Sequence, residues 1–254
     1  MRCSIDHGAS SPVCPRSAGP GAPMRPTLLL FDIDGTLVLT GRAGLRAMGA
    51  TFEDLFGVSD AFRHVEMDGR TDTWLVSHAL ARWGIDDTLD HHTRFRAAYL
   101  PRLAEEMLEP GTGTKGIMPG VRALLDAVAG QADVHVALLT GNYREAAAIK
   151  LQHFALWDYF GFGAFADDAA DRNLLVPVAR GRAKEQGISD EACARAVVIG
   201  DTPHDVACAT VAGARSVAVA TGGHSRDELA RAGADVVLDT LSDTEQVLRL
   251  LGAP

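Results

Sequence analysis

Asp32 and Asp34 are the first residues in this chain whose types and spacing suggest chemistry. They close the run Thr27-Leu28-Leu29-Leu30-Phe31-Asp32-Ile33-Asp34-Gly35-Thr36-Leu37 and alternate with Ile33. In extended geometry they point the same way, with Cα atoms ~6.6 Å apart at a rise of about 3.3 Å per residue. Like charges that close repel unless a cation, or a proton on one of them, relieves it. The pair asks for a divalent metal, an acid/base role, or both. Read alone, the four residues 32–35 also fit a solvated turn, because Asp and Gly are turn formers.

Two further stretches have the same form. Leu138-Leu139-Thr140-Gly141-Asn142 is an apolar strand ending in a hydroxyl and a glycine before a helix. A hydroxyl there, with backbone N–H groups at the helix start, makes an anion site. Alternatively, Thr140 is an N-cap. Val197-Val198-Ile199-Gly200-Asp201 ends in a carboxylate, and Asp205 follows four residues later near a helix start. Asp201 sits where it can complete a metal site with Asp32. Asp205 favours a helix N-terminus in any case.

These residues need a scaffold that brings three strand ends together. The run 27–31 is apolar throughout, as in a strand buried on both faces of a parallel sheet. From Met118 onward strands and helices alternate. Strands are expected over 134–140, 160–165, 196–201, 216–220 and 235–238, with helices near 121–128, 144–154, from 173, 205–212, 226–231 and 244–250. Strict alternation predicts an α/β, Rossmann-like core, a parallel sheet with helices on both faces. Open sheets of this kind bind ligands at the carboxyl ends of their strands. Residues 41–115 carry helical spacing instead, over 45–56, 74–83 and 93–107. Gly111-Thr112-Gly113-Thr114 closes that segment as a linker. The expected organisation is an α/β core over 26–40 and 116–254, with an all-helical domain inserted over 41–115.

The remaining composition sets bounds. The chain has 254 residues, of which 47 % are hydrophobic and 22 % charged, as in a soluble globular protein. The net charge of -9 argues against a nucleic-acid partner. No apolar stretch reaches the ~18 residues of a membrane span. Residues 1–25 are rich in Gly, Pro, Ser and Ala, lack the apolar centre of a signal peptide and are expected to be disordered. Met24, just before the first strand, is a candidate start. Cys3, Cys14, Cys193 and Cys208 show no metal spacing and read as reduced thiols of a cytoplasmic protein. His64, His78, His91 and His92 show none either. No oligomeric state is read from the sequence.

Over residues 27–250 the chain resembles the haloacid dehalogenase (HAD) superfamily of phosphatases, in its phosphoglycolate-phosphatase-like and β-phosphoglucomutase-like branches with a helical cap. Residues 32–37 look like its first motif, Thr140 its second, and residues 200–205 its fourth. The resemblance implies that Asp32 attacks phosphorus to form an aspartyl-phosphate and that Asp34 serves as acid and base. It implies a magnesium ion on Asp32, the Asp34 carbonyl and Asp201, supported by Asp205. Thr140, Gly141, Asn142 and a cation would hold the phosphoryl oxygens of a small phosphorylated metabolite. The family's third motif is usually a lysine; here residues 171–173 read Asp-Arg-Asn, so Arg172 is the preferred cation. Lys150 is the other candidate. It lies about ten residues down the following segment, ~12 Å or more from its start if helical, so its side chain would have to reach back a long way. In the cap, Arg70 of the break 67–72 is a candidate contact for an anionic part of the substrate, or a surface cation beside a helix capped by Thr71 or Asp72. Asp34 argues for oxygen–phosphorus over carbon–halogen chemistry, since a halide needs no proton. The absence of a cap lysine before Lys115 argues against phosphonatase chemistry. The competing readings are a phosphomutase and a non-catalytic binding protein of this fold.

Overall fold

The structure is a computed structural model that describes residues 25, 27–129 and 131–252. The expected disordered tail, the candidate start at Met24, Cys3 and Cys14 lie outside the described residues.

β1 (Thr27–Phe31) is the hub of a six-stranded parallel sheet. It pairs with β4 (Val134–Leu139) on one side and β6 (Val197–Gly200) on the other. β5 (Gly163–Ala164) lies beyond β4; β7 (Arg215–Val219) and β8 (Val236–Leu238) lie beyond β6. Side chains alternate between the two faces, as strand geometry requires. Leu29, Phe31, Val134, Leu138, Val197 and Ile199 enter one apolar cluster. Leu28, Leu30, Ala137, Leu139 and Val198 enter another on the opposite face. Burial on both faces explains why these strands read as unbroken apolar runs. The first cluster is closed by α4 (Val121–Ala129) and α10 (Thr244–Gly252), and the second by α6 (Leu175–Glu185) and α8 (Pro203–Val211). α5 (Arg144–His153) and α9 (Arg226–Arg231) follow β4 and β7.

The segment between the first strand and the rest of the sheet is helical, as its spacing predicts. α1 (Ala43–Phe56), α2 (Asp72–Arg82) and α3 (Leu89–Glu106) share a core around Phe52, Phe62, Leu80, Phe95 and Tyr99. That cluster also takes in Tyr143, Ala146 and Ala166, so the helices pack onto the sheet domain at the C-terminal side of β4 and β5.

Three features differ from the periodicity. β2 (Val38–Thr40) and β3 (Lys115–Ile117) form an antiparallel ribbon joining the two ends of the helical segment. Both strands are too short for period-two alternation to register. The ribbon continues into the glycine linker, where Thr112 N–H donates to Gly41 O at 3.0 Å. Gly111 (φ +79°) has no room for a Cβ, which would sit 2.5 Å from that same oxygen. The strand expected over 160–165 is only two residues long, and a 3₁₀ turn over Trp157–Tyr159 precedes it. The turn lays Phe160 edge-on against Phe31 at 6.1 Å between ring centroids. A five-residue helix, α7 (Asp190–Ala194), capped by Ser189, precedes β6. It is too short to show a period.

Candidate active site

The carboxyl ends of β1, β4 and β6 converge. Asp32 follows β1, and its N–H donates to Ile199 O at 2.9 Å, fixing it beside the end of β6. Asp201 follows β6. Asp205 lies in the first turn of α8, where it and Thr202 form a capping box. Asp32, Asp201 and Asp205 are all buried, each with an oxygen within 4.8 Å of the others. Asp205 therefore caps the helix, as its position predicted, and also belongs to the acidic cluster.

Among the described residues, one cation pairs with this cluster. Arg172 Nη2 donates to Asp32 Oδ1 at 2.9 Å and to Asp205 Oδ1 at 2.5 Å. Asp201 accepts from a hydroxyl, Thr36 Oγ1, at 2.8 Å. Three carboxylates against one guanidinium leave two negative charges in a buried place. Burial accordingly pushes the Asp32 carboxyl up to about 7, with Arg172 pulling the other way. Desolvation also raises Asp201 well above the carboxylate range, reinforced by Asp32 and Asp205. Space beside Asp201 is kept free by glycines: a Cβ on Gly35 (φ +85°) would lie 2.3 Å from Asp201 Oδ2, and one on Gly222 only 1.7 Å. Three hard oxygen donors with an uncompensated charge of two fit a small divalent cation.

Asp34 is held separately. Lys150 Nζ donates to its Oδ1 and Oδ2 at 2.8 and 2.6 Å, and Asn142 Nδ2 to Oδ2 at 2.8 Å. Lys150 thus reaches the site, against the expectation from chain distance. α5 starts at Arg144, so Lys150 lies six residues in, ~9 Å along the axis, and its stem spans the rest. Thr140 does not cap α5, whose N-cap position is Tyr143. Its buried Oγ1 instead accepts from Asn142 Nδ2 at 2.8 Å.

The helical insert contacts this rim through residues 69–73. Asp72 N–H donates to Gly141 O at 2.6 Å, and its carboxylate accepts from Tyr143 N–H at 2.8 Å. Thr71 caps α2, as expected, while its hydroxyl donates to Ala170 O at 2.7 Å; Thr73 donates to Ala166 O at 2.8 Å. Arg70 is not a simple surface cation. Its guanidinium stacks over Trp74 at 4.3 Å, and its Nε is buried with no hydrogen-bond partner among the described residues. Between insert and sheet lies a cavity of about 1230 Å³, lined by Asp32, Asp34, Thr140, Gly141, Asn142, Lys150, Arg172 and Asp201 on one side and by Arg70 and α1 on the other. Of the four histidines, His64 also lines this cavity. His92 pairs with Asp87, His91 meets the Asp86 carbonyl and His78 stacks on Trp74.

Sequence reasoning missed Thr36 and Asp72. Thr36 stands inside the first run, where a hydroxyl among turn residues carries no separate signal. Asp72 was read as a helix-start residue; its contact with the distant loop 141–143 leaves no trace in local spacing.

A parallel sheet with an aspartate after β1, a hydroxyl after β4 and carboxylates after β6, covered by helices inserted behind β1, defines a HAD-like hydrolase. A HAD-hydrolase-like family model matches residues 166–244. The chain is 31 % identical over 218 residues to a phosphoglycolate phosphatase of Rhodospirillum rubrum, covering 84 % of this chain and 87 % of that one. It is 26 % identical over 235 residues to a probable phosphatase, IndB, of Dickeya dadantii, covering 91 % and 98 %. Among solved structures, a hydrolase from Pseudomonas syringae superposes with a TM-score of 0.68 at 20 % identity, over 90 % of this chain and all of that one. CbbY from Rhodobacter sphaeroides, in complex with phosphate, gives 0.65 at 24 %, over 85 % and 95 %. The chain belongs to the haloacid dehalogenase superfamily, in its phosphoglycolate-phosphatase-like branch, and is a phosphatase.

Proposed function

We propose that this phosphatase hydrolyses the monoester of a small phosphorylated metabolite through an aspartyl-phosphate on Asp32. The observation that carries the reading is the division of labour between two carboxylates. Asp32 lies in the buried acidic cluster, whereas Asp34 stands apart on its own donors with 43 % of its side chain exposed. A nucleophile must be held in line and an acid must reach the leaving group.

A carboxylate oxygen of Asp32 attacks phosphorus, and the bond to the leaving oxygen breaks. Asp34 gives its proton to the departing alkoxide. Water then attacks the aspartyl-phosphate, Asp34 takes the water's proton, and inorganic phosphate leaves with Asp32 restored. Thr140, the Gly141 N–H, the Asn142 loop and Arg172 hold the phosphoryl oxygens. Asp32, the Asp34 carbonyl and Asp201, with Asp205 behind them, would hold magnesium. When bound, that ion supplies positive charge against the oxygens that gain charge in transfer. The helical insert acts as a cap over 41–115 that excludes water and reads the leaving group. Arg70 faces an anionic part of the substrate, a role supported by its unpartnered Nε. The cytoplasm is the proposed compartment, supported by the free, buried Cys193 and Cys208.

A panel of phosphorylated metabolites assayed with and without magnesium tests this reading. Release of inorganic phosphate that needs the metal, and that Asp32→Asn abolishes, is the expected result. Isomerised sugar phosphate in place of free phosphate would instead point to mutase chemistry.

A further inference from the structure

We infer that Lys150 is a positioning residue: together with Asn142 it clamps the Asp34 carboxylate from behind and aims it into the cavity. This inference rests on the reading of Asp34 as acid and base.

An ammonium group has three N–H donors and no acceptor. In Lys150 all three have partners, at 2.8 and 2.6 Å on the two Asp34 oxygens and 2.6 Å on Asn142 Oδ1. None is left over for a phosphoryl oxygen. Asn142 is used up in the same way. Its Oδ1 accepts from Lys150, and its two amide hydrogens go to Asp34 Oδ2 and Thr140 Oγ1, both at 2.8 Å. The three side chains therefore form a closed set around one carboxylate.

The set is also directional. The Lys150 side chain is 6 % exposed, and that of Asp34 is 43 %. The buried ammonium lies under the insert: a Cβ on Gly44 of α1 would lie 3.6 Å from both Lys150 Nζ and the Tyr99 hydroxyl. Asp34 Oδ2 takes two donors, whereas Oδ1 takes one and keeps more of its acceptor capacity. A long, flexible lysine is rarely held this closely. Fixing a reacting group within a fraction of an ångström is what sustains proton transfer in the transition state.

The test compares p-nitrophenyl phosphate, whose leaving group needs little help from a proton, with glycerol 2-phosphate, whose alkoxide does. Asp34→Asn sets the reference and is expected to favour the nitrophenyl ester. Lys150→Met should reproduce that bias, with kcat for the alkyl ester falling about tenfold or more beyond that for the nitrophenyl ester. KM for both should stay within about threefold, and Lys150→Arg should recover part of the loss. Equal losses on both esters in Lys150→Met, or a common rise in KM, would overturn the inference in favour of a phosphoryl contact or a purely structural role. If Asp34→Asn itself shows no bias, the acid assignment fails. Placement is then decided by crystal structures of Lys150→Met and of Asn142→Ala, which keeps the ammonium should the first variant not fold. A displaced Asp34 carboxylate upholds the clamp, and an unmoved one ends it.

Discussion

The Asp72 carboxylate accepts from Tyr143 N–H at 2.8 Å while its own N–H donates to Gly141 O at 2.6 Å. One residue of the helical insert thus holds both sides of the loop that carries Thr140. These two bonds tie the start of α2 to residues 141–143. The approach leaves no room for a side chain: a Cβ on Gly141 would lie 2.0 Å from Arg70 O. Gly141→Ala is expected to lower kcat/KM at least tenfold on steric grounds, with the fold retained by circular dichroism.

The same contact predicts a pH dependence. Burial pushes the Asp72 carboxyl up to about 7, with Lys150 and the Tyr143 N–H acting in the opposite sense. Its folded pKa lies above its unfolded value, so its contribution to stability is complete below about 4 and is lost as pH rises through about 7. Asp72→Asn keeps an acceptor for Tyr143 and removes the ionisation. The difference in Tm between variant and wild type should therefore grow between pH 4 and pH 8 in favour of the variant. Three pKa units set its ceiling at about 4 kcal/mol. A pH-independent difference would refute the assignment.

Metal affinity should follow pH with the opposite sense. Asp32 is raised to about 7 and Asp201 above its usual range, chiefly by desolvation, so protons compete with a cation for these oxygens. Stabilisation by magnesium over EDTA, measured as a thermal shift, is expected to be small at pH 5.5 and to increase toward pH 8. Asp201→Asn should remove most of it while leaving the fold in place.

How much of this was legible beforehand depends on range. Asp32, Thr140 and Asp201 each end an apolar run, so strand burial marked them in one dimension, and the parallel sheet brings their strand ends together. The long reach expected of Lys150 counts from Thr140, whereas residues 140–143 are loop and the helix opens at Arg144. Arg172 stands before α6, and its ion pair with Asp205, 33 positions away, is set by how α8 meets that turn. The β2–β3 ribbon and the Asp72 contact depend on pairings between segments far apart in sequence, for which local periodicity holds no record.

Two glycines give the sharpest steric test of the acidic cluster. Gly222 has ordinary backbone torsions, yet a Cβ there would meet Asp201 Oδ2 at 1.7 Å. The added methyl must therefore move the carboxylate, or the loop, without imposing a backbone penalty of its own. Gly222→Ala is expected to weaken magnesium binding at least tenfold by isothermal titration. Gly181 in α6 is the control, since a Cβ there meets nothing within 4 Å. Gly181→Ala should leave metal binding unchanged and raise stability by about 1 kcal/mol through helix propensity. Unaltered magnesium affinity in the Gly222 variant, with a crystal structure showing the Asp201 carboxylate displaced, would mean that Asp201 does not ligate the ion.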